Sequence, residues 1–403
     1  MNLESYIKEH WNDTVRLERN DKGDFIGLPY EYYVPSVKGA FQEMYYWDSF
    51  FTSKGLFIHG REALVKSQIE NMFHLIGKFG YMPNGSNMGL VSRSQPPYLS
   101  LMVRDVYEIY KDKMWLGFAY SVLEKEYKFW NTKRMTPCGL NRYGYEGTEK
   151  NFPADARLVR SRLPGYDFGD RTDMDIATNV MCDAESGWDF NPRCEMHQLD
   201  YAYVDLNSLL YMFEKNMSYF AQELENGMAG KWNTLAEKRG ELIRKLMWNG
   251  EVFLDYNYKT GEHSKHFTSA SFFVLWAGVA TEEQAKSMLA NLHRIEFDYG
   301  IAVGEPGERT ASYQWDYPNG WAPLHYTTVY ALANYGFKED ACRVAEKYVK
   351  SIEKIFEETG TLWEKYNVFE GSMNVTDEYE MPEMLGWTAG VYTDLKHFLE
   401  KNK

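Results

Sequence analysis

Cysteine is scarce in this chain. The four residues, Cys138, Cys182, Cys194 and Cys342, are scattered through 403 positions with no C-x-x-C pair and no Cys/His ligand spacing, which excludes a disulfide framework and leaves no metal site of that kind. A reducing compartment is the expectation. Basic runs are also missing. With 44 Lys and Arg against 58 Asp and Glu, the formal charge is −14, so a phosphate backbone is repelled and nucleic acid is not an expected partner. No segment approaches the roughly 18 uncharged apolar residues of a membrane span, so no membrane partner is expected. The first fifteen residues, MNLESYIKEHWNDTV, carry Glu4, Lys8 and Glu9 and no apolar stretch of signal-peptide length. These absences lead to the expectation of a soluble, cytoplasmic protein. A fixed-length repeat, a low-complexity linker, a Ser-His-Asp motif and a phosphate-cradling glycine loop are absent as well.

Aromatic residues are abundant: 31 Tyr, 23 Phe and 12 Trp make up 16% of the chain. Rings placed near carboxylates suit a carbohydrate site, where sugar C–H faces stack on rings and hydroxyls bond to acids and amides. With 44% hydrophobic residues, the length suffices for two domains or one large closed architecture.

Helical periodicity dominates, and the helices come in pairs. After a first helix over 3–16, the pairs are 43–60 with 61–80, 98–110 with 112–134, 204–226 with 230–250, 268–280 with 281–295, and 322–336 with 338–360; 386–402 closes the chain. Thr281-Glu-Glu-Gln284 is a capping box. Helices in a hairpin are antiparallel, so the short connections lie at one end and the long ones (17–42, 81–97, 135–203, 251–267, 296–321 and 361–385) at the other. Six hairpins, the sixth formed by the C-terminal helix beside the N-terminal one, predict an all-α (α/α)6 barrel spanning 1–403 as one domain. Its functional face is the long-loop end. An open helical solenoid is the alternative, disfavoured by the lack of a repeat.

One loop, 183–193, reads DAESGWDFNPR and sets Asp189 between Trp188 and Phe190. A carboxyl wedged between rings loses hydration, which raises its pKa towards the range of a general acid. The plainer reading is an aspartate capping a following helix. Other unusual loops share the same face: GAFQEMYYWD (39–48), PNGSNMGLVSRSQPP (83–97), RLPGY (162–166), QWDYPNGWAP (314–323) and TLWEKYNV (361–368). Taken singly, Trp47 and Trp321 read as core rings, Arg93 as a loop-fixing side chain and Glu364 as a solvated charge. Their shared position favours a site.

ESGWDF (185–190) and QWDYPNGWAP (314–323) resemble the two signature stretches of the trehalase family of glycoside hydrolases. YYWDS (45–49), SRSQPP (92–97), VDLNSLLY (204–211) and EKYNV (364–368) are similar to further family stretches, in the family's order. Hydrolases acting on mannosylglycerate and on oligosaccharide glucose caps share the barrel and part of the ESGWD pattern. The resemblance implies an (α/α)6 barrel, a small sugar as substrate, inversion at the anomeric carbon and no cofactor or metal. Residue by residue, it implies Asp189 as general acid and Glu364 as general base. Phe41, Trp47, Asp48, Asn84, Arg93, Arg162, Gly187, Trp321 and Glu378 would line the sugar subsite, Arg162 on a partial match. The chemistry is consistent: inversion needs one protonated and one ionised carboxyl about 6.5–9.5 Å apart with water between them.

The chain also departs from the family. Where trehalases have an arginine on each side of the phenylalanine, this sequence reads Gly39-Ala40-Phe41-Gln42-Glu43, and FEGSMNVTD (369–377) replaces a glycine-rich lid. Expected, then, is an α-glucosidase acting on trehalose or a similar small α-glucoside, with trehalose weaker than some other α-linked glucoside unless Arg93, Arg162 or Arg309 compensates. Hydrolysis of a glucosyl- or mannosyl-glycerate, a sugar-binding protein without catalysis and a helical scaffold are the alternatives.

Overall fold

The computed structural model describes residues 2–377 and 380–402. Its helices in chain order are α1 (Leu3–His10), α2 (Tyr46–Ile58), α3 (Glu62–Phe79), α4 (Leu99–Tyr110), α5 (Lys113–Lys133), α6 (Phe152–Arg162), α7 (Asp173–Ser186), α8 (Val204–Glu223), α9 (Ala229–Leu246), α10 (Phe273–Trp276), α11 (Glu282–Ala290), α12 (Ala322–Asn334), α13 (Lys338–Thr359) and α14 (Gly386–Asn402). Strands among the described residues are two or three residues long and pair only as two-stranded ladders.

Two kinds of helix separate by their buried faces. In α13, Ala341, Val344, Ala345, Tyr348, Val349, Ile352 and Ile355 form one buried stripe at helical spacing, and Gly360 closes the helix in the left-handed region. That pattern belongs to an outer helix with one wet face. In α2 every residue from Tyr46 to Ser53 is buried, and α12 is enclosed from Ala322 to Val329, as inner helices must be. The inner helices α2, α4, α8, α10, α12 and α14 each pack on the next, and α14 returns to α2, closing the ring. Glycine makes the closing contact possible. A Cβ on Gly390 would lie 2.2 Å from the carbonyl oxygen of Phe51, and one on Gly55 2.9 Å from the Cα of Gly390. Rings of Phe50, Tyr98, Trp276 and Tyr326 pack against one another in the middle of the barrel.

The predicted (α/α)6 architecture is what forms, with three differences. The stretch 135–203, expected as one long connection, contains α6 and α7. Thr172 caps α7 by accepting from the Asp175 N–H, and Ile176, Val180, Met181 and Ala184 supply its buried face. The helix expected over 268–280 is a 3₁₀ turn, Ser269–Phe272, running into the four-residue α10. The sixth pair is loose: α14 packs chiefly on α2, and α1 meets it through Lys396 and Glu4 at 3.7 Å. No helix among the described residues is long and apolar enough to cross a membrane.

Candidate active site

The inner helices α2, α4, α12 and α14 begin at the long-loop end, and the residues at or just before their first turns surround a cavity of about 190 Å³. Phe41, Trp47, Asp48, Asn84, Arg93, Arg162, Gly187, Asp189 and Glu364 all line it. The N-terminus of α2 brings Trp47 and Asp48, while Arg162 is the last residue of α6. Arg93 is held by the backbone beside it. The Ser94 N–H donates to Glu185 Oε1 at 2.9 Å, and Glu185 in turn accepts two bonds from Arg134, at 2.6 and 2.7 Å. The side-chain amide of Asn84 donates to Ala184 O and Ser94 O, tying that loop to α7.

Asp189 follows the C-terminus of α7 by way of Gly187, so it does not cap a following helix. Gly187 sits at φ 79°, where a Cβ would come 2.7 Å from the indole of Trp47. Trp188 and Phe190 are both buried, as the sequence led one to expect. Burial is the largest influence on Asp189 and pushes its carboxyl upward, against the opposing pull of Arg93 and Arg162. Asp48 is pushed up to about 8, chiefly by burial; its own backbone N–H opposes this and the charges of Glu364 and Asp189 add to it. Asp48 therefore shares one electrostatic neighbourhood with both other carboxyls.

Two side chains grip the main chain of the pair. Gln314 Nε2 donates to Asp189 O at 2.8 Å, and Trp387 Nε1 donates to Glu364 O at 3.2 Å. Behind the cavity, indoles stack in series. Trp188 lies 5.5 Å from Trp315 at 13°, and Trp315 lies 3.8 Å from Trp321 at 4°. A cation covers each end: the Arg193 guanidinium 4.7 Å from Trp188, and Lys365 Nζ 5.0 Å from Trp321. Arg193 is anchored by Asp205 and Asp255 at 2.7–2.8 Å.

This stack corrects one assignment. Trp321 does not line the cavity; it lies behind Trp315, whose ring forms the wall, because Trp321 is the last residue of the strand Asn319–Trp321, paired with Lys365–Asn367. Glu378 lies outside the described residues. Arg309, considered as a compensating donor, is instead engaged by Asp316 at 2.6 Å and Glu305 O at 2.7 Å and does not line the cavity. Neither Ala40 nor Gln42 lines it. Gln42 accepts from Arg16 at 2.9 Å and donates to Ser36 O at 3.0 Å, fastening the loop. Sequence reasoning missed Tyr45, Leu90, Gln95, Gln314, Trp315, Met384 and Trp387, which also line the cavity. Tyr45, Leu90, Gln95, Gln314 and Trp315 stand inside stretches already singled out. Met384 and Trp387 do not, and only their closeness to the start of the last helix pointed to them.

The cavity thus offers two buried carboxylic residues from separate loops, a third acid in their electrostatic neighbourhood, two arginines and aromatic walls, a set able to bind a sugar and to donate and accept protons. Among the described residues no three His, Cys, Asp or Glu side chains converge as metal ligands.

The chain is similar to known proteins along nearly its whole length. The chain is 31% identical over 418 residues to a periplasmic trehalase of Escherichia coli O8, covering 96% of this chain and 73% of that protein. A periplasmic trehalase of Xanthomonas campestris is 29% identical over 417 residues, covering 96% and 72%. Among solved structures, the neutral trehalase Nth1 of Saccharomyces cerevisiae superposes with a TM-score of 0.77 at 26% identity, covering all of this chain and 80% of that one. The expected cytoplasmic location does not stand, because these curated bacterial relatives are named as periplasmic enzymes. The trehalase family model matches residues 2–400, and the chain belongs to the trehalase family, as a glycoside hydrolase.

Proposed function

We propose that this protein hydrolyses trehalose as an inverting α-glucosidase, in one catalytic domain, with Asp189 as general acid and Glu364 as general base. The observation that carries the reading is the cavity that both residues line, Asp189 from the loop after α7 and Glu364 from the position just before the strand Lys365–Asn367. Asp189 is the group whose burial favours the protonated form, as donation to the leaving oxygen requires. Glu364, the residue that would take a proton from water, has Lys365 Nζ 3.4 Å from its Oε2. Asp48, Asn84, Arg93, Arg162 and Gln95 supply polar contacts to the cleaved sugar, and Phe41, Trp47, Trp315 and Trp387 supply the apolar faces.

Removing either carboxylate tests the roles. Asp189→Asn and Glu364→Gln should each lower kcat on trehalose by roughly 10²–10⁴-fold with the fold intact by circular dichroism. A near wild-type rate at saturating substrate in either variant removes the corresponding assignment.

A second reading, preference for another α-linked glucoside, has one observation in its favour. Ala40 is exposed beside Phe41, so the mouth of the cavity lacks the charged donor that an arginine there would supply, and unmatched hydroxyls of a second glucose lose discrimination. Comparing kcat/KM for trehalose with kojibiose, nigerose, maltose, isomaltose and glucosylglycerate decides between them.

A further inference from the structure

Arg193 is fully buried, yet it does not line the cavity. A guanidinium withdrawn from water needs firm partners. Its Nε donates to Asp255 Oδ2 at 2.8 Å, and its Nη2 donates to Asp255 Oδ1 at 2.8 Å and to Asp205 Oδ1 at 2.7 Å. The carboxylates accept from further donors: the Val204 N–H reaches Asp255 Oδ1 at 2.9 Å, and the Tyr143 hydroxyl reaches Asp205 Oδ2 at 3.1 Å. Rings of Trp188 and Tyr203 lie 4.7 and 5.2 Å from the guanidinium carbon. A planar fork on two carboxylates, stacked on rings, is held more tightly than a lysine would be. The main chain is held as well, since the Ser264 hydroxyl donates to Arg193 O at 2.6 Å. A buried ion cluster adds little stability beyond what apolar residues of similar volume give; what it fixes here is geometry. The Arg193 N–H donates to Asn191 Oδ1 at 3.0 Å, and Asn191 Nδ2 donates to Trp188 O at 2.7 Å. Trp188 O belongs to the peptide unit that enters Asp189, and Gln314 holds the oxygen of the unit that leaves it. Peptide units are planar, so holding the plane on each side of Asp189 sets its φ and ψ, and with them the direction in which its side chain leaves the backbone.

The geometry points to Asn191 and Arg193 as positioning residues for Asp189: the ion cluster fixes Arg193, Arg193 fixes the Asn191 amide, and that amide fixes the peptide plane before the acid. This rests on the reading of Asp189 as the general acid. Neither Asn191 nor Arg193 lines the cavity, so their effect falls on proton donation and spares binding of the sugar. A general acid displaced by a fraction of an ångström loses rate on a leaving group that must receive a proton. A leaving group that departs as a stable anion needs no proton, and its rate is unaffected by the same displacement.

Steady-state kinetics on trehalose and on α-glucosyl fluoride, with Arg193→Lys, Asn191→Ala and Asp189→Asn beside the wild type, test this. Fluoride departs without a proton, whereas the glucose leaving trehalose takes one up. Arg193→Lys and Asn191→Ala are each expected to lower kcat on trehalose by about ten- to a hundredfold, with KM near wild type and the rate on α-glucosyl fluoride retained. Both variants should melt lower, because each loses buried hydrogen bonds, but lost stability alone does not discriminate between the two substrates. Equal losses on both substrates, or wild-type kcat on trehalose in either variant, overturn the inference. If Arg193→Lys fails to fold, Asn191→Ala decides alone. Asp189→Asn is expected to show the same selectivity more strongly. Should it instead lose both substrates alike, the assignment of Asp189 as acid is what falls, so the two failures are distinguishable.

Discussion

Gln314 donates its side-chain amide to the main-chain oxygen of Asp189 at 2.8 Å. The bond crosses from the loop before α12 to the loop after α7, and it fixes where the acid stands relative to the wall formed by the neighbouring Trp315. Among the described residues the other amide atom, Gln314 Oε1, is buried with no hydrogen-bond partner. Gln314→Leu should therefore leave Asp189 chemically intact but displaced, lowering kcat by about ten- to a hundredfold. Stopped assays on trehalose with a matching melt check this; unchanged kcat shows that the bond does not position the acid.

Gly187 serves two needs at once: φ 79°, and clearance for the indole of Trp47. Gly187→Ala combines left-handed strain with overpacking, and is expected to lose about 1–3 kcal/mol of stability and to raise KM as Trp47 shifts. Chemical denaturation and substrate titration measure both. Wild-type values for both rule out the close approach.

Asp48 gives a pH dependence. Its carboxyl is near 3.8 when unfolded and about 8 in the fold, so the folded state binds the extra proton between those values. For a raised folded pKa the stabilising contribution is fully present below about pH 4 and is lost as pH rises towards 8. Asp48→Asn has no such loss. The Tm of the variant minus that of the wild type should therefore grow steadily from pH 4 to pH 8, other buried acids cancelling in the difference. A difference that stays constant over that range contradicts a buried, proton-holding Asp48.

The indole series separates a wall from its support. Trp315→Phe is expected to raise KM, because Trp315 lines the cavity, whereas Trp321→Phe should lower stability by about 0.5–3 kcal/mol and leave KM near the wild-type value. Parallel kinetics and melts compare them. A KM effect confined to Trp321→Phe would reverse the order of the two rings.

Much of this was legible in the sequence, and the failures have physical causes. The ring of helices was readable because inner helices such as α2 and α12 are rich in apolar residues without a single stripe, while α13 carries one. The helices α6 and α7 were not seen because polar residues dilute their pattern: α6 buries only Ala156 and Val159, and α7 carries four carboxylates, although a 69-residue loop should have raised suspicion. Asp189, Glu364 and Arg162, singled out in stretches far apart in sequence, line one cavity. Trp321 was misplaced because two tryptophans six residues apart are equivalent as letters, and only the stacking order shows that Trp315 faces the cavity. The pairing of Lys365 with Asp377 is a contact twelve residues apart across a turn, invisible to any periodicity.

Proton NMR of the anomers released from α,α-trehalose tests the central claim most directly. Inverting cleavage turns the cleaved glucosyl unit into β-glucose while the departing glucose keeps its α configuration. At the earliest times, before mutarotation, α and β signals are expected in equal amounts from the wild type, and no product from Asp189→Asn or Glu364→Gln on the same timescale. Release of α-glucose alone, or no hydrolysis of trehalose by the wild-type protein, would contradict an inverting trehalose hydrolase built on Asp189 and Glu364.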